Sequence, residues 1–373
     1  MSMVAERARA AALAEPDRLD GFSSPREVDR LFGHAAALGE FADALESGRM
    51  HHAWLLVGPE GIGKATLAYR FARSVLDDGK EGGVREALDR DHPVFRKVAA
   101  LSHPNLLLIR RAWNEKTKRY AQSIGVDEVR RLRAFLGTTA GEGGWRVVIV
   151  DRADELNQNA ANALLKALEE PPPKTLFLLI SSAEGRLPVT IRSRARTLRV
   201  AALGNDDLEA AVRAALDRDS HEADAKALAT ALALSQGSVR RALELVSSEG
   251  IELYGEIEAG LGGLPEIDGA RLHRNVERLA GPADTERLEL YLALLLGLIE
   301  RLIRFTATSE GATQEEQGLA RRLISPANLA HWAEAWEAIS EARAEAFALN
   351  LDRSLLVLET WFRLQSVARE HPV

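Results

Sequence analysis

Residues 53–74, AWLLVGPEGIGKATLAYRFARS, restrict the fold more than any other stretch of the chain. Ala53 to Val57 is apolar without a break, and a strand with no polar face is buried on both sides, as in a parallel sheet. From Lys64 the apolar residues recur at helical spacing. A strand feeding directly into a helix requires a crossover connection, so the chain must build an α/β layer here. Between the two lies the pattern G-x-x-x-x-G-K, from Gly58 through Gly61 and Gly63 to Lys64. Glycines let backbone N–H groups turn inward around phosphates, the helix N-terminus adds partial positive charge, and a lysine there reaches the β- and γ-phosphates.

One position departs from the pattern. The residue after the lysine normally carries a hydroxyl for Mg²⁺; here it is Ala65, with Thr66 one place later. At 3.6 residues per turn Thr66 is rotated by about 100° and is a poor substitute.

Two further apolar strands are expected at WRVVIVD (Trp145 to Asp151) and TLFLLISS (Thr175 to Ser182). Asp151 ends the first, where a carboxylate orients a metal through water. A hydrolytic site of this type places a glutamate next, to polarise the attacking water. This chain has Arg152, and a guanidinium accepts no proton at neutral pH. Asp154 and Glu155 are the nearest replacements, but their spacing points them into the following helix. That helix carries Ala161, Leu164, Leu165 and Leu168 on one face, Asn157 as its N-cap and Pro171 to Pro173 as its stop.

Composition narrows the classes. At 373 residues the chain calls for two or three domains, and 46% hydrophobic with 28% charged residues describes a globular protein. It has no cysteine, which excludes disulfides, a thiol nucleophile and thiolate zinc sites, and suits a cytoplasmic location. A net charge of −7 argues against a chain coated in DNA. The first 30 residues alternate charge with alanine and contain no apolar core of a signal peptide. The most apolar run, Leu288 to Ile303, carries Glu289, Glu300 and Arg301 and is too short to cross a bilayer, so it is read as a buried helix.

The expected layout is a loose leader (1–30), a parallel-sheet α/β domain flanked by helices (31–201), a small helical lid (202–249) and an all-α domain (250–373). Residues 77–104 read as an insertion at the sheet edge.

With these residues in view the chain resembles the clamp-loader branch of the AAA+ proteins. The resemblance rests on GHAAAL, HHAWLLVGPEGIGKATLAYRFAR, HPNLLLI, ANALLKALEEPP and LPVTIRSRARTLRV. It is dense from Leu31 to Val200, recurs at SQGSVRRALEL, and is weaker in the C-terminal region, where LNLDRSLLVLETWF is the best match. It implies a P-loop AAA+ domain, a lid and a helical collar. It also implies a hetero-pentameric ring, containing delta and an ATPase motor subunit, that places the β sliding clamp on primed DNA; it implies no membrane.

Within that family the altered loop fits a stator subunit, which resembles a motor but has a degraded nucleotide site. Lys64 and the glycines suit ATP or ADP held without hydrolysis. Relatives carry a Ser-Arg-Cys motif whose arginine reaches a neighbour's ATP, and Ser193-Arg194-Ala195 stands in its place. Arg194 is thereby implied as an arginine finger supplied in trans; from the residues alone, a solvated or structural cation beside Arg192 and Arg196 is the favoured reading, and the resemblance reverses it. Ser181 or Ser182 matches the sensor 1 place and Arg240 the sensor 2 place, with a loop hydroxyl and a surface arginine as the plain alternatives. Relatives also carry a four-cysteine zinc module after the first helix; this chain cannot, and His92 with His103 make no ligand set, so no zinc is expected. His51 and His52 read as structural. The competing reading is a competent AAA+ ATPase, a clamp-loader or branch-migration motor, with Thr66 and Asp154 standing in for the missing groups.

Overall fold

The computed structural model describes residue 15 and residues 18–77, 89–114, 119–137, 144–247, 250–281, 285–310, 312–349 and 351–372. The chain divides into two compact units, Met1–Glu244 and Leu245–Val373.

The first unit is built on a five-stranded parallel sheet. Its strands are β1 (Ala53–Val57), β2 (Leu106–Ile109), β3 (Arg146–Val150), β4 (Thr175–Ser181) and β5 (Arg196–Arg199), in the spatial order β2-β3-β4-β1-β5. All residues of β1 and β4 are buried. Alternate side chains along each strand feed two separate cores, as the pleat requires. Trp54, Leu56, Val147, Ile149, Leu178 and Ile180 pack on one side with α1 (Ala35–Glu46) and α2 (Lys64–Leu76). Phe41 of α1 stacks flat on Phe71 of α2 at 3.8 Å between ring centres. Leu55, Val57, Val148, Val150, Phe177 and Leu179 pack on the other side. The helices there are α4 (Val126–Gly137) and α5 (Gln158–Glu169), the short α3 (Pro93–Ala99) lying between α2 and α4 in sequence. Asn157 caps α5 by accepting the Ala160 N–H at 2.9 Å. A short helix α6 (Val189–Arg192) leads into β5, and three lid helices follow: α7 (Asn205–Arg218), α8 (Ala225–Leu234) and α9 (Val239–Ser247).

The leader differs from expectation. Residues 18–30 are not loose but form a strap laid across this unit. Phe22 is buried and stacks on His221, and Ser23 donates both its N–H (2.9 Å) and its hydroxyl to Asp219. Arg26 is buried and donates to the Ala99 carbonyl at 2.6 Å, while Arg73 of α2 donates to the Val28 carbonyl at 2.9 Å. The strap joins the lid to α2 and α3 through partners that lie 45 to 199 positions away in the chain. Of the 77–104 segment, residues 78–88 lie outside the described residues, and the described remainder carries α3.

The second unit is helical among the described residues: α10 (Gly250–Gly263), α11 (Gly269–Leu279), α12 (Thr285–Thr308), α13 (Gln314–Leu323), α14 (Leu329–Leu349) and α15 (Arg353–Glu370). The apolar run forms α12, buried at Leu288, Tyr291, Leu292, Leu295, Leu298, Ile299 and Leu302. No helix among the described residues is long and apolar enough to cross a membrane. Arg301 lies within this core, 3% exposed, paired with the fully buried Glu316 at 2.7 Å. One carboxylate oxygen of Glu316 also accepts from the Tyr254 hydroxyl. The other accepts the Thr313 N–H at 2.9 Å, closing the capping box of α13.

Candidate nucleotide site

The loop between β1 and α2 has the geometry that its glycines require. Gly61 and Gly63 lie at φ +75° and +103°, a region costly to any residue with a Cβ. A Cβ on Gly61 would also meet Ser238 Oγ at 2.3 Å. Gly58 is a glycine for a different reason. Its N–H donates to the Ser181 carbonyl at 3.4 Å, and a Cβ there would meet the Val200 carbonyl at 2.1 Å. Gly58 therefore serves close packing on β4 and the chain after β5, not the cavity. His34, at φ 59° ahead of α1, places Nε2 2.8 Å from the Ile62 carbonyl, which only a ring N–H can satisfy. Burial lowers the pKa of His34, which favours the neutral ring.

Lys64 is 5% exposed. Its ammonium donates to the carbonyls of Gly58 (2.8 Å) and Pro59 and to Ser182 Oγ (2.9 Å). Those acceptors are neutral. Burial therefore dominates and brings its pKa down to about 8, against the pull of Glu60, Asp154 and Asp151. Of the two serines suggested for the end of β4, Ser182 touches the lysine, whereas Ser181 is fully buried and accepts from the Ala183 N–H.

At the end of β3, Asp151 is 8% exposed and lines the same cavity as Lys64. Arg152 follows at φ 61°, with Nη1 3.2 Å from Glu60 and Nε 2.8 Å from Glu155. Asp154 accepts the Ser182 N–H at 3.2 Å, and Glu155 is shared between Arg152 and Arg111. Both carboxylates thus have partners within the loop, and neither lines the cavity.

The cavity, about 210 Å³, is lined by the charged Glu60, Lys64, Asp151 and Arg152 together with residues of the strap and the lid. Phe22, Val28 and Phe32 line it from the strap side, and Leu203, Ala211 and Leu243 from the lid side. The lid is held to the loop by the Arg240 N–H, which donates to the Gly61 carbonyl at 3.2 Å. The Arg240 side chain lines the cavity while pairing with Glu244 at 2.7 Å. The strap residues Phe22 and Ser23, with Asp219 and His34, were missed by sequence reasoning. His34 sits inside the quoted GHAAAL motif, and that motif was the one signal available; the strap's aperiodic sequence offered none.

The glycines and the buried lysine beside the cavity fit a nucleoside phosphate. Magnesium fits less well. Ala65 presents a methyl group, Thr66 lines the cavity one helix position further on, and Arg152 brings a cation beside Asp151. No group of three or more His, Asp and Glu among the described residues is placed to hold a metal. His92 and His103 accept backbone N–H groups from Val94 and Asn105, and His51 pairs with Ala53 while stacking on His52.

Arg194 is elsewhere. Its side chain is 36% exposed, donates to the Thr190 carbonyl at 3.0 Å and pairs with Glu169 at 2.8 Å; it does not line the cavity.

Residues 33–204 match the family model described as DNA polymerase III, delta subunit. That match covers less than half of the chain, which over it is similar to clamp-loader subunits of DNA polymerase III. The delta-prime subunit of Pseudomonas aeruginosa is 41% identical over 145 residues, 38% of this chain and 41% of that one. The Escherichia coli delta-prime subunit is 37% identical over 151 residues, 40% of this chain and 42% of that one. The Escherichia coli tau subunit is 27% identical over 293 residues, 74% of this chain and 44% of that one. The matched stretch thus spans about two-fifths of the length of these relatives. A Thermotoga maritima RuvB branch migration motor aligns over 91% of this chain and 90% of its own at 16% identity, with a TM-score of 0.40; that likeness is too weak to bear on function. The sheet itself, with β1 between β4 and β5, is a parallel α/β sheet whose β1–α2 loop carries the G-x-x-x-x-G-K pattern.

Proposed function

We propose that this chain is a delta-prime type stator of a bacterial clamp loader, which hydrolyses little or no ATP itself and lends Arg194 to a neighbouring ATPase subunit. One observation carries this reading: the cavity holds an arginine where hydrolysis needs a carboxylate, while Arg194 stands outside it, partly exposed. A guanidinium held by a carbonyl, a hydroxyl and one surface carboxylate can exchange Glu169 for a phosphate oxygen, which binds it more strongly. Across a subunit interface it would stabilise charge on the transferred γ-phosphate. The partners are then delta and the motor subunit in a hetero-pentameric ring, and through the ring the β sliding clamp and primed DNA. The 250–373 helices are its collar.

A competent ATPase gains no support, because Asp154 and Glu155 are both engaged in holding the loop.

The test is reconstitution. Arg194→Ala is expected to leave ring assembly intact and to lower the DNA-stimulated ATPase of the assembled loader, while the isolated chain turns over ATP at background. Undiminished turnover in the Arg194→Ala ring would remove the finger. ATP hydrolysis by the isolated chain that disappears in Lys64→Ala would remove the stator reading.

A further inference from the structure

We propose that the cavity binds a nucleoside polyphosphate without a divalent metal, with Arg152 supplying the charge that a metal would otherwise carry. The inference rests on reading the Gly58–Lys64 loop as a phosphate site, and it deepens that reading by naming the counter-charge.

Three features of one corner lead to it. The first is the loss of the metal's hydroxyl ligand at Ala65, while the glycine cradle and the buried Lys64 are kept. A polyphosphate held by a single lysine is under-neutralised, so a retained cradle without metal needs a second cation. The second is Arg152 itself. It lines the cavity beside Lys64 and sits in the left-handed region at φ 61° and ψ 60°, a conformation that gives an arginine nothing in return. A guanidinium beside Asp151 also repels any divalent ion approaching that carboxylate, so cation and metal exclude each other.

The third feature is what holds Arg152. Glu155 grips its Nε at 2.8 Å but shares its charge with Arg111, also at 2.8 Å. A second partner, Glu60, is 3.2 Å from Nη1, lies on the phosphate loop and is 57% exposed. Glu60 is therefore an anion of the loop resting on the cation that faces the cavity. A phosphate oxygen offers the same guanidinium a stronger, more highly charged acceptor, and an exposed carboxylate side chain can leave for water at little cost. Glu60 competes with the ligand, and Arg152 with Lys64 binds it from two sides.

The experiment is a titration of the full chain with a fluorescent ADP, read by anisotropy, in Mg²⁺ and again in EDTA. The affinity is expected to agree within about twofold between the two conditions. Arg152→Ala is expected to weaken it by about tenfold or more, the loss of one charge-assisted contact. Glu60→Ala is expected to tighten it. Opposite signs from two residues of one ion pair cannot come from a shared structural role, and thermal melts of both variants establish that they are folded. The EDTA arm needs no variant at all. Binding that requires Mg²⁺, absence of binding in either condition, or Arg152→Ala and Glu60→Ala shifting affinity in the same direction would each overturn the proposal. The stator reading stands or falls separately, on the ATPase of the Arg194→Ala ring.

Discussion

Each unit of this chain buries long cations, and Lys64 in one and Arg301 in the other are treated differently. In the helical unit, Arg301 meets the carboxylate of Glu316, which also binds Tyr254 and caps α13. Burial works against the charge of Arg301, but the hydrogen bond and charge of Glu316 outweigh it and hold its pKa above the ordinary value. In the α/β unit, Lys64 is buried as deeply but meets only carbonyls and a hydroxyl, and its pKa falls to about 8. A cation saturated by a fixed anion is part of the core. A cation held by neutral, exchangeable acceptors beside a cavity is suited to an anionic ligand.

The largest effect that would test this contrast is at Glu316. Glu316→Ala leaves Arg301 buried and unpaired and removes the α13 capping box. A loss of about 3–5 kcal/mol is expected in urea unfolding, with Arg301→Met/Glu316→Leu recovering much of it. A small loss in the single variant would end the distinction. Next comes Gly61→Ala, which forces a Cβ into left-handed backbone against Ser238. About 1–3 kcal/mol of stability should go, together with the lid's contact to the loop, both visible in a thermal melt.

Lys64→Met should cost little, and its signature is in pH. Between about 8 and 10.5 the folded chain holds fewer protons at Lys64 than the unfolded chain, so wild-type stability gains from Lys64 as pH rises through that window. Below about 8 the buried charge is a burden. Glu60, Asp151 and Asp154 face this lysine and moderate the effect, and Arg152 adds to it. Urea unfolding at several pH values should show a slope in wild type that Lys64→Met lacks; parallel profiles would mean that the lysine is not desolvated. The smallest effect is expected at Arg194, where Arg194→Ala should move the melting free energy by no more than about 0.5 kcal/mol. A larger shift would make Arg194 structural.

Much of the α/β unit was legible because its signals are local. The strands at Ala53, Trp145 and Thr175 are apolar on both faces, and Asn157 and Pro171 bracket a helix in plain sequence. Ala65 and Arg152 were read as losses from their positions in a fixed motif. What escaped were residues whose role depends on a distant partner. Ser23 and Asp219 are 196 positions apart, Tyr254 and Glu316 62 apart, and neither pair leaves a periodic trace. Gly58 was assigned to phosphate because the motif contains it; only the approach of Val200 reveals the packing reason.

The chain's own order of residues determined the strand–loop–helix unit, the buried α12 and the altered chemistry after Lys64 and Asp151, because each follows from neighbours within one or two turns. Tertiary structure alone decided that the strap lines the cavity, that Asp154 and Glu155 are engaged within the loop, and that Glu60 rests on Arg152. Those are contests between partners brought together from separate segments, and burial and distance settle them only once the chain has folded.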